Sequence, residues 1–561
     1  MPSLEINDLN IVLGTLGAFL ILYGIISVKI KQVWYLGVAL PAVMLGIILR
    51  PVATKFIDSR QWGHADEEQT RVITLGVTRV MIGLQLVIAG YQLPSRYPWM
   101  RSKEVAMCLL PVMTMMWLST TLCMLATTPE LTLLPALVIA SCVTCTDPVL
   151  SQAIAKGPFA DMFVARPLRE IMSCEAGAND GFAFPFLMIA VYMMRHAQGT
   201  TANGDGSVEG ELLSAEGVGR VGGGIGVALR EWFLETWLYI ILLSVAYGIV
   251  VGYGSCKAIG FCLKRTWIDN ESYLIFPSAL GMFIVGTCGA IGTDDSLACF
   301  VAGCALNWDG EYLQETQRRH DEVNQVFTLL LNFGGFFYVG TIIPWSEFHD
   351  PVGTGITIGR LILLGFMVLF FRRIPAVLAA YKLMTPVCAN YKEALFMGYF
   401  GPIGAGSVFY VEYARHLFPD IGDGDEEETR LMEMIGPIVY WLVLFSIVVH
   451  GLSIPALDLL YRYLKVKPIH DDAIEMCCSS LREALPANAT MAGRDTLIAY
   501  NRFSRPIEAV GLPIEAVGLP TLGSWRLGGS SADDPEATEK GIEREEKIYD
   551  VREGRGEKPC G

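Results

Sequence analysis

Long apolar runs that carry almost no charge recur through the first 455 residues, and no other feature restricts this chain so severely. Segment 11–30 holds a single charge, Lys29, at its far end, and segment 237–251 holds none. About 20 mostly apolar residues is what a helix needs to cross a bilayer, and in hydrocarbon only a helix or a closed barrel satisfies its own backbone. Charged residues make up 18% of the 561, against roughly 25% in an ordinary soluble domain. The expected class is an all-α membrane protein. Glu5 and Asp8 precede the first run and no small-residue cleavage site follows it, so that run reads as a retained span rather than a signal peptide.

Hydropathy places about 13 transmembrane helices, near 10–30, 33–50, 71–93, 104–126, 131–155, 168–194, 232–256, 273–291, 294–306, 324–343, 355–372, 392–413 and 432–455. Basic residues counted in alternate loops put the N-terminus outside and the C-terminus in the cytoplasm. The inner loops then hold Lys29 and Lys31, the cluster Arg96, Arg101 and Lys103, and Arg372 and Arg373 among others. The connection carrying Arg50, Lys55, Arg60 and Arg71 goes against that count. Two sequons, at Asn270 and Asn488, fall on the inner side and should stay unmodified. We therefore divide the chain into a transmembrane domain, 1–464, and a cytoplasmic tail, 465–561. The tail is polar, contains the tandem repeat Pro506–Leu512 and Pro513–Leu519, and is expected to be largely disordered. A net charge of −15 argues against a nucleic-acid partner, leaving membrane lipid as the expected surroundings and tail partners unassigned. The 14 cysteines show neither a disulfide framework nor zinc spacing, and no cofactor is expected.

An ionisable residue at mid-bilayer costs at least about 2.5–3.5 kcal/mol, so those kept inside spans mark ion paths. Two neighbouring spans carry them. The fifth reads Ser141-Cys142-Val143-Thr144-Cys145-Thr146-Asp147-Pro148, and the sixth reads Ser173-Cys174-Glu175-Ala176-Gly177-Ala178-Asn179-Asp180-Gly181. Pro148 removes a donor and crowds the carbonyl four residues earlier, which should open the helix near Thr144–Asp147. The freed carbonyls, the Thr146 hydroxyl and the Asp147 carboxylate are the hard oxygen ligands a dehydrated Na+ takes. Glu175 and Asn179 share a helix face, with Asp180 beside it. The bland alternative is a proline kink with a satisfied buried carboxylate. A second Gly/Pro interruption, Phe400-Gly401-Pro402-Ile403-Gly404-Ala405-Gly406, lies in the twelfth span. Paired broken helices are the mark of an inverted-repeat transporter with its site at the midplane.

The segments TDPVLSQAI, SCEAGANDGFAFPF, GTDD, WDGEYLQETQ, IIPWSEF, FRRIPAV and EALFMGYFGPIGAGS resemble the fungal plasma-membrane Na+/H+ antiporters of the monovalent cation/proton antiporter superfamily, over residues 10–455. That resemblance implies a homodimer with an inverted-repeat antiporter fold, a core moving as an elevator, and two crossed, unwound helices. It implies that Asp180 binds cation and proton in turn, that Asn179 is its neighbour, and that Thr146 and Asp147 complete the Na+ site with Glu175 close by. It also marks the pair Asp294 and Asp295 as important for transport, although an Asp at a helix start equally fits an N-cap. Three departures stand out. Ala176 occupies a position where many relatives carry Ser, which removes a hydroxyl ligand. No Arg lies in the twelfth-span break, so Glu175 needs another partner, and Arg372 and Arg373 are the candidates. The tail is short for the fungal group.

The implied activity is exchange of Na+, also Li+ and K+, for H+ across the plasma membrane, serving alkali-cation tolerance and pH homeostasis. The single acid of the Asn-Asp pair resembles the electroneutral subclass. Two other classes share parts of this pattern. An intramembrane aspartyl protease also needs two intramembrane carboxylates, but its Tyr-Asp and Gly-x-Gly-Asp motifs surround neither Asp147 nor Asp180. A cation channel wants a repeated carbonyl filter, and none is evident. Six of the seven histidines (His64, His196, His320, His349 in loops, His416 and His450 near span ends) read as surface residues.

Overall fold

A computed structural model describes residues 8–30, 34–49, 67–155, 158–196, 222–319 and 323–466, together with three short strands at 474–477, 489–491 and 496–499. The repeat at 506–519 and His64 and His320 lie outside the described residues.

The principal helices are α1 (Asp8–Val28), α2 (Ala39–Leu49), α3 (Glu67–Tyr91), α4 (Ser102–Thr127), α5 (Leu133–Cys142), α6 (Pro148–Ala155), α7 (Arg166–Gly181) and α8 (Phe184–Arg195). They continue with α9 (Gly224–Lys264), α10 (Asn270–Ile291), α11 (Asp295–Leu306), α12 (Glu311–Arg318), α13 (Val323–Ile342), α14 (Ile358–Leu383), α15 (Tyr391–Tyr399), α16 (Ala405–His416) and α17 (Glu426–Tyr463). Among the described residues six helices (α3, α4, α9, α10, α14 and α17) are long and apolar enough to cross a membrane, and five shorter apolar helices accompany them. The fold class is that of a helical membrane protein, with every predicted span falling on helix. Past the last helix the strands β1 (Ile474–Cys477), β2 (Ala489–Met491) and β3 (Thr496–Ala499) pair antiparallel in the order β1-β3-β2.

Small residues let the helices approach closely, as they do where packing rather than hydrophobicity drives association. A Cβ at Gly252 of α9 would stand 2.6 Å from the Ala302 Cα of α11, and one at Gly90 of α3 would stand 2.6 Å from the Phe300 carbonyl oxygen of α11. Helix α3 thereby packs on α10 and α11 and also meets α16, while α5 packs on α8. The last helix, α17, starts on a capping box in which Asp425 accepts from the third amide and Glu428 reaches back.

The sixth predicted span is two helices rather than one. Pro185 has no amide hydrogen and its ring crowds the carbonyl of Gly181, so α7 stops at Gly181 and α8 resumes at Phe184. That break sits directly after Asp180. The fifth span opens where expected, from Val143 to Asp147, with Pro148 as the first residue of α6. The twelfth opens between Tyr399 and Ala405.

Candidate functional site

The openings of the fifth and twelfth spans meet, and Asp147 ties them together. Its Oδ1 accepts the amides of Val149 (2.7 Å) and Leu150 (3.0 Å) in the first turn of α6, and its Oδ2 accepts the Ala405 amide (2.8 Å) at the start of α16. The Asp147 amide donates to the Pro402 carbonyl at 2.9 Å. One carboxylate thus caps two helix N-termini, where free amides and the helix dipole both favour negative charge. Gly404 belongs here for a steric reason, since a Cβ would collide with the Asp147 carboxylate.

The opposite ends of the broken helices expose carbonyls, and Arg372 answers them. Its guanidinium donates to the carbonyls of Thr144 (3.4 Å) and Cys145 (3.0 Å) past α5, and of Gly401 (3.2 Å) past α15. Two negative helix ends are neutralised by one buried cation as two positive ends are by one buried anion. Arg373, not Arg372, is the partner of Glu175: Nη2 lies 2.7 Å from Oε2, both side chains being almost fully buried. Gly401 lies against the Arg373 side chain, leaving no room for a Cβ. Both arginines are buried, so they do not belong to an inner loop as the count of basic residues implies.

Helix α7 is locked to the first opening through Asn179. Its side-chain oxygen accepts the Thr146 amide (3.2 Å), and its Nδ2 donates to the Thr146 hydroxyl (2.7 Å). Asp180 follows, 2% exposed, and neither carboxylate oxygen has a hydrogen-bond partner among the described residues. A Cβ at Gly406 would stand 2.6 Å from its Oδ1, so the first turn of α16 forms a wall against the carboxylate. The Tyr410 hydroxyl, one turn further along α16, donates to the backbone carbonyls of Asp180 and Gly181, the carbonyls that the Pro185 kink leaves without a helical partner.

Thr146, Asp147, Asn179, Asp180, Glu175, Arg372, Arg373, Pro148, Gly401 and Pro402 are therefore gathered around one crossing. Asp294 and Asp295 stand at the start of α11, which packs on α7. Asp294 caps that helix by accepting the Leu297 amide at 3.1 Å, and Asp295 pairs with Arg79 of α3. The other carboxylate oxygen of Asp294, Oδ2, is buried without a partner among the described residues. His450, read as lying near a span end, is instead buried within α17, with Nε2 3.0 Å from the Tyr399 carbonyl and Nδ1 beside Ser446. Nothing in the sequence separated Arg372 from Arg373, and the carbonyl-neutralising role of Arg372 had no sequence signal.

A family profile described as sodium/hydrogen exchanger, transmembrane, matches residues 16–458. The chain is similar to Na(+)/H(+) antiporter 2 of Zygosaccharomyces rouxii, 33% identical over 82% of this chain and 54% of that protein. It is similar to the Na(+)/H(+) antiporter of Saccharomyces cerevisiae, 34% identical over 82% of this chain and 44% of that one. A Na(+)/H(+) antiporter of Schizosaccharomyces pombe is 32% identical over 81% of this chain and 91% of its own length. The chain spans about half the length of the first three curated relatives it matches. Among solved structures, the sodium proton antiporter MjNhaP1 of Methanocaldococcus jannaschii superposes with a TM-score of 0.52 at 14% identity, covering 79% of this chain and all of that one. At that identity the likeness is one of fold.

Proposed function

This chain belongs to the sodium/hydrogen exchanger family, and from that premise we propose that it exchanges Na+ for H+ across the plasma membrane by alternating access, with Asp180 binding one or the other. One observation carries the reading: Asp180 is a buried carboxylate with no oxygen or nitrogen partner among the described residues, only the Cys145 thiol beside it. A buried charge of that kind is expensive until something compensates it. Asp147 already accepts three backbone amides, so its oxygens are satisfied within the protein. Asp180 needs either a cation or a proton, and once it holds one it has no reason to hold the other. Competition at one side chain is then the coupling.

Thr146 and Asp147 complete the Na+ site from the first opening, Asn179 holds that opening against α7, and Glu175 with Arg373 stiffens the helix behind it. For one-for-one exchange, a tenfold proton gradient supplies about 1.4 kcal/mol, enough to sustain a tenfold opposing Na+ gradient. Li+ and K+ are the further substrates we propose, a homodimer the working unit, the N-terminus outside, and 465–561 a cytoplasmic tail. The test is a proteoliposome assay in which Na+ is added to acid-loaded vesicles containing a pH dye. Wild type is expected to dissipate the acid load, and Asp180→Asn to leave it standing; an Asp180→Asn protein that still exchanges would end the proposal.

A further inference from the structure

The hydroxyl that Ala176 cannot supply has a replacement on another helix. Ser407, in the first turn of α16, is fully buried, and its Oγ has no hydrogen-bond partner among the described residues. Serine hydroxyls buried in a helix usually turn back onto a carbonyl of the preceding turn, as Ser141, Ser244 and Ser453 do here. Ser407 does not. It lies beside the Cys145 sulfur, and that sulfur in turn lies beside the Asp180 carboxylate. The neighbouring residue, Gly406, faces the same two groups: a Cβ there would stand 2.6 Å from Asp180 Oδ1 and 3.3 Å from Cys145 Sγ. The Ser407 hydroxyl and the Asp180 carboxylate thus flank one thiol at the crossing, and among the described residues neither has an oxygen or nitrogen partner.

We propose that Ser407 is a cation ligand of this chain, supplying from α16 the oxygen that a residue at position 176 would otherwise supply from α7. This rests on the Asp180 reading above and adds to it a specificity-determining residue. The chemistry favours an alkali cation as occupant. The Thr146 hydroxyl already accepts from Asn179 and the Asp147 oxygens accept three amides. A Na+ ion at Asp180 therefore finds few oxygens with lone pairs still open. Ser407 has two, whereas the Cys145 sulfur is soft and a poor ligand for so hard an ion. The position of Ser407 also makes cation binding sensitive to α16, the helix that Asp147 holds at Ala405 and that holds the Asp180 carbonyl through Tyr410. An ion seated between α7 and α16 draws together the two elements that wall the site.

The experiment measures Na+-driven proton exchange by the full chain in proteoliposomes. Ser407→Ala is expected to raise the Na+ KM about tenfold, the scale of one lost ligand or hydrogen bond, with the maximal rate within about twofold of wild type. Ser407→Cys keeps the volume but offers sulfur, and should match Ser407→Ala. The decisive protein is the double variant Ala176→Ser/Ser407→Ala, in which the hydroxyl returns on α7 and the KM should return with it. An unchanged KM in both single variants overturns the proposal, as does a raised KM that Ala176→Ser fails to lower. Should wild type itself not exchange, or Asp180→Asn exchange normally, the underlying reading fails and this one with it; normal Asp180 behaviour with an inert Ser407 sinks this one alone.

Discussion

Asp147 and Asp180 are both buried acids at one crossing, yet replacing them should have opposite effects on stability. Asp147→Ala removes three hydrogen bonds to a charged acceptor. Each is worth about 1.5–3 kcal/mol, so the sum approaches the whole stability of about 5–15 kcal/mol of a typical domain. Asp147→Asn keeps one amide oxygen but turns an NH2 toward a backbone donor, and forfeits at least one of the three bonds, roughly 2–3 kcal/mol. Asp180→Asn forfeits no hydrogen bond to an oxygen or nitrogen among the described residues and removes a charge that only the Cys145 thiol faces. The expected order of thermal stability for purified protein in Na+-free detergent is Asp180→Asn at or above wild type, then Asp147→Asn, then Asp147→Ala. Added Na+ should raise the melting temperature of wild type, by the equivalent of about 2.7 kcal/mol at a hundredfold excess over Kd, and leave Asp180→Asn unmoved. If Asp180→Asn proved the least stable of the three, or if Na+ stabilised it as it does wild type, the assignment of one acid to architecture and the other to exchange would be wrong.

Gly406→Ala would put a methyl group against the Asp180 carboxylate, so Na+ transport should be lost while the protein still assembles, as judged by size-exclusion profile. Arg373→Ala strands Glu175 as an unpaired buried charge and should cost about 3–5 kcal/mol, whereas Arg373→Gln with Glu175→Gln should cost much less; equal losses in thermal unfolding would deny the pair its charge. Tyr410→Phe leaves the carbonyls of Asp180 and Gly181 unsatisfied, a loss of about 1–3 kcal/mol, and should shift the Na+ KM; unchanged stability would mean that the kink is held some other way. His196, beyond the end of α8, sits between the Gly222 carbonyl and Glu231 (2.7 Å). Burial opposes its charge, but the hydrogen bonds to Glu231 and Gly222 and the Glu231 charge outweigh that and raise its pKa above the ordinary 6.5. A raised pKa gives stabilisation that is complete below that value and fades as pH climbs through the folded one. Proteolytic nicking near Gly222 should therefore quicken from pH ~6 to ~9 in wild type and be uniformly fast in His196→Ala, each rate being normalised for the protease.

What was legible in the sequence follows from which signals are local. Pro148 and the Gly401-Pro402 pair interrupt their own helices by backbone chemistry, so both openings could be read from the chain alone, as could the cost of keeping Asn179 and Asp180 inside a span. Pro185 uses the same chemistry, yet the break it makes went unseen because hydropathy runs unbroken through Phe182–Phe186. The division of labour between Arg372 and Arg373 is of another kind. Arg372 ends a π-helical turn and Arg373 sits in the bend before the helix resumes at Ile374, so the two side chains leave the chain in different directions and reach different partners. One of the pair had to face Glu175 and the other had to face something else, and the something else is made of backbone carbonyls from two chain segments more than 200 residues apart. No residue type announces such an acceptor, because carbonyls are everywhere and only an interrupted helix leaves them open. The same reasoning explains why Asp147 is more than a ligand. A crossing of two broken helices creates two positive ends and two negative ends at once, and burying it in a membrane requires a fixed anion for the first and a fixed cation for the second. Once Asp147 and Arg372 fill those places, the crossing is electrically settled, and a third charge, at Asp180, is left free to follow the ions.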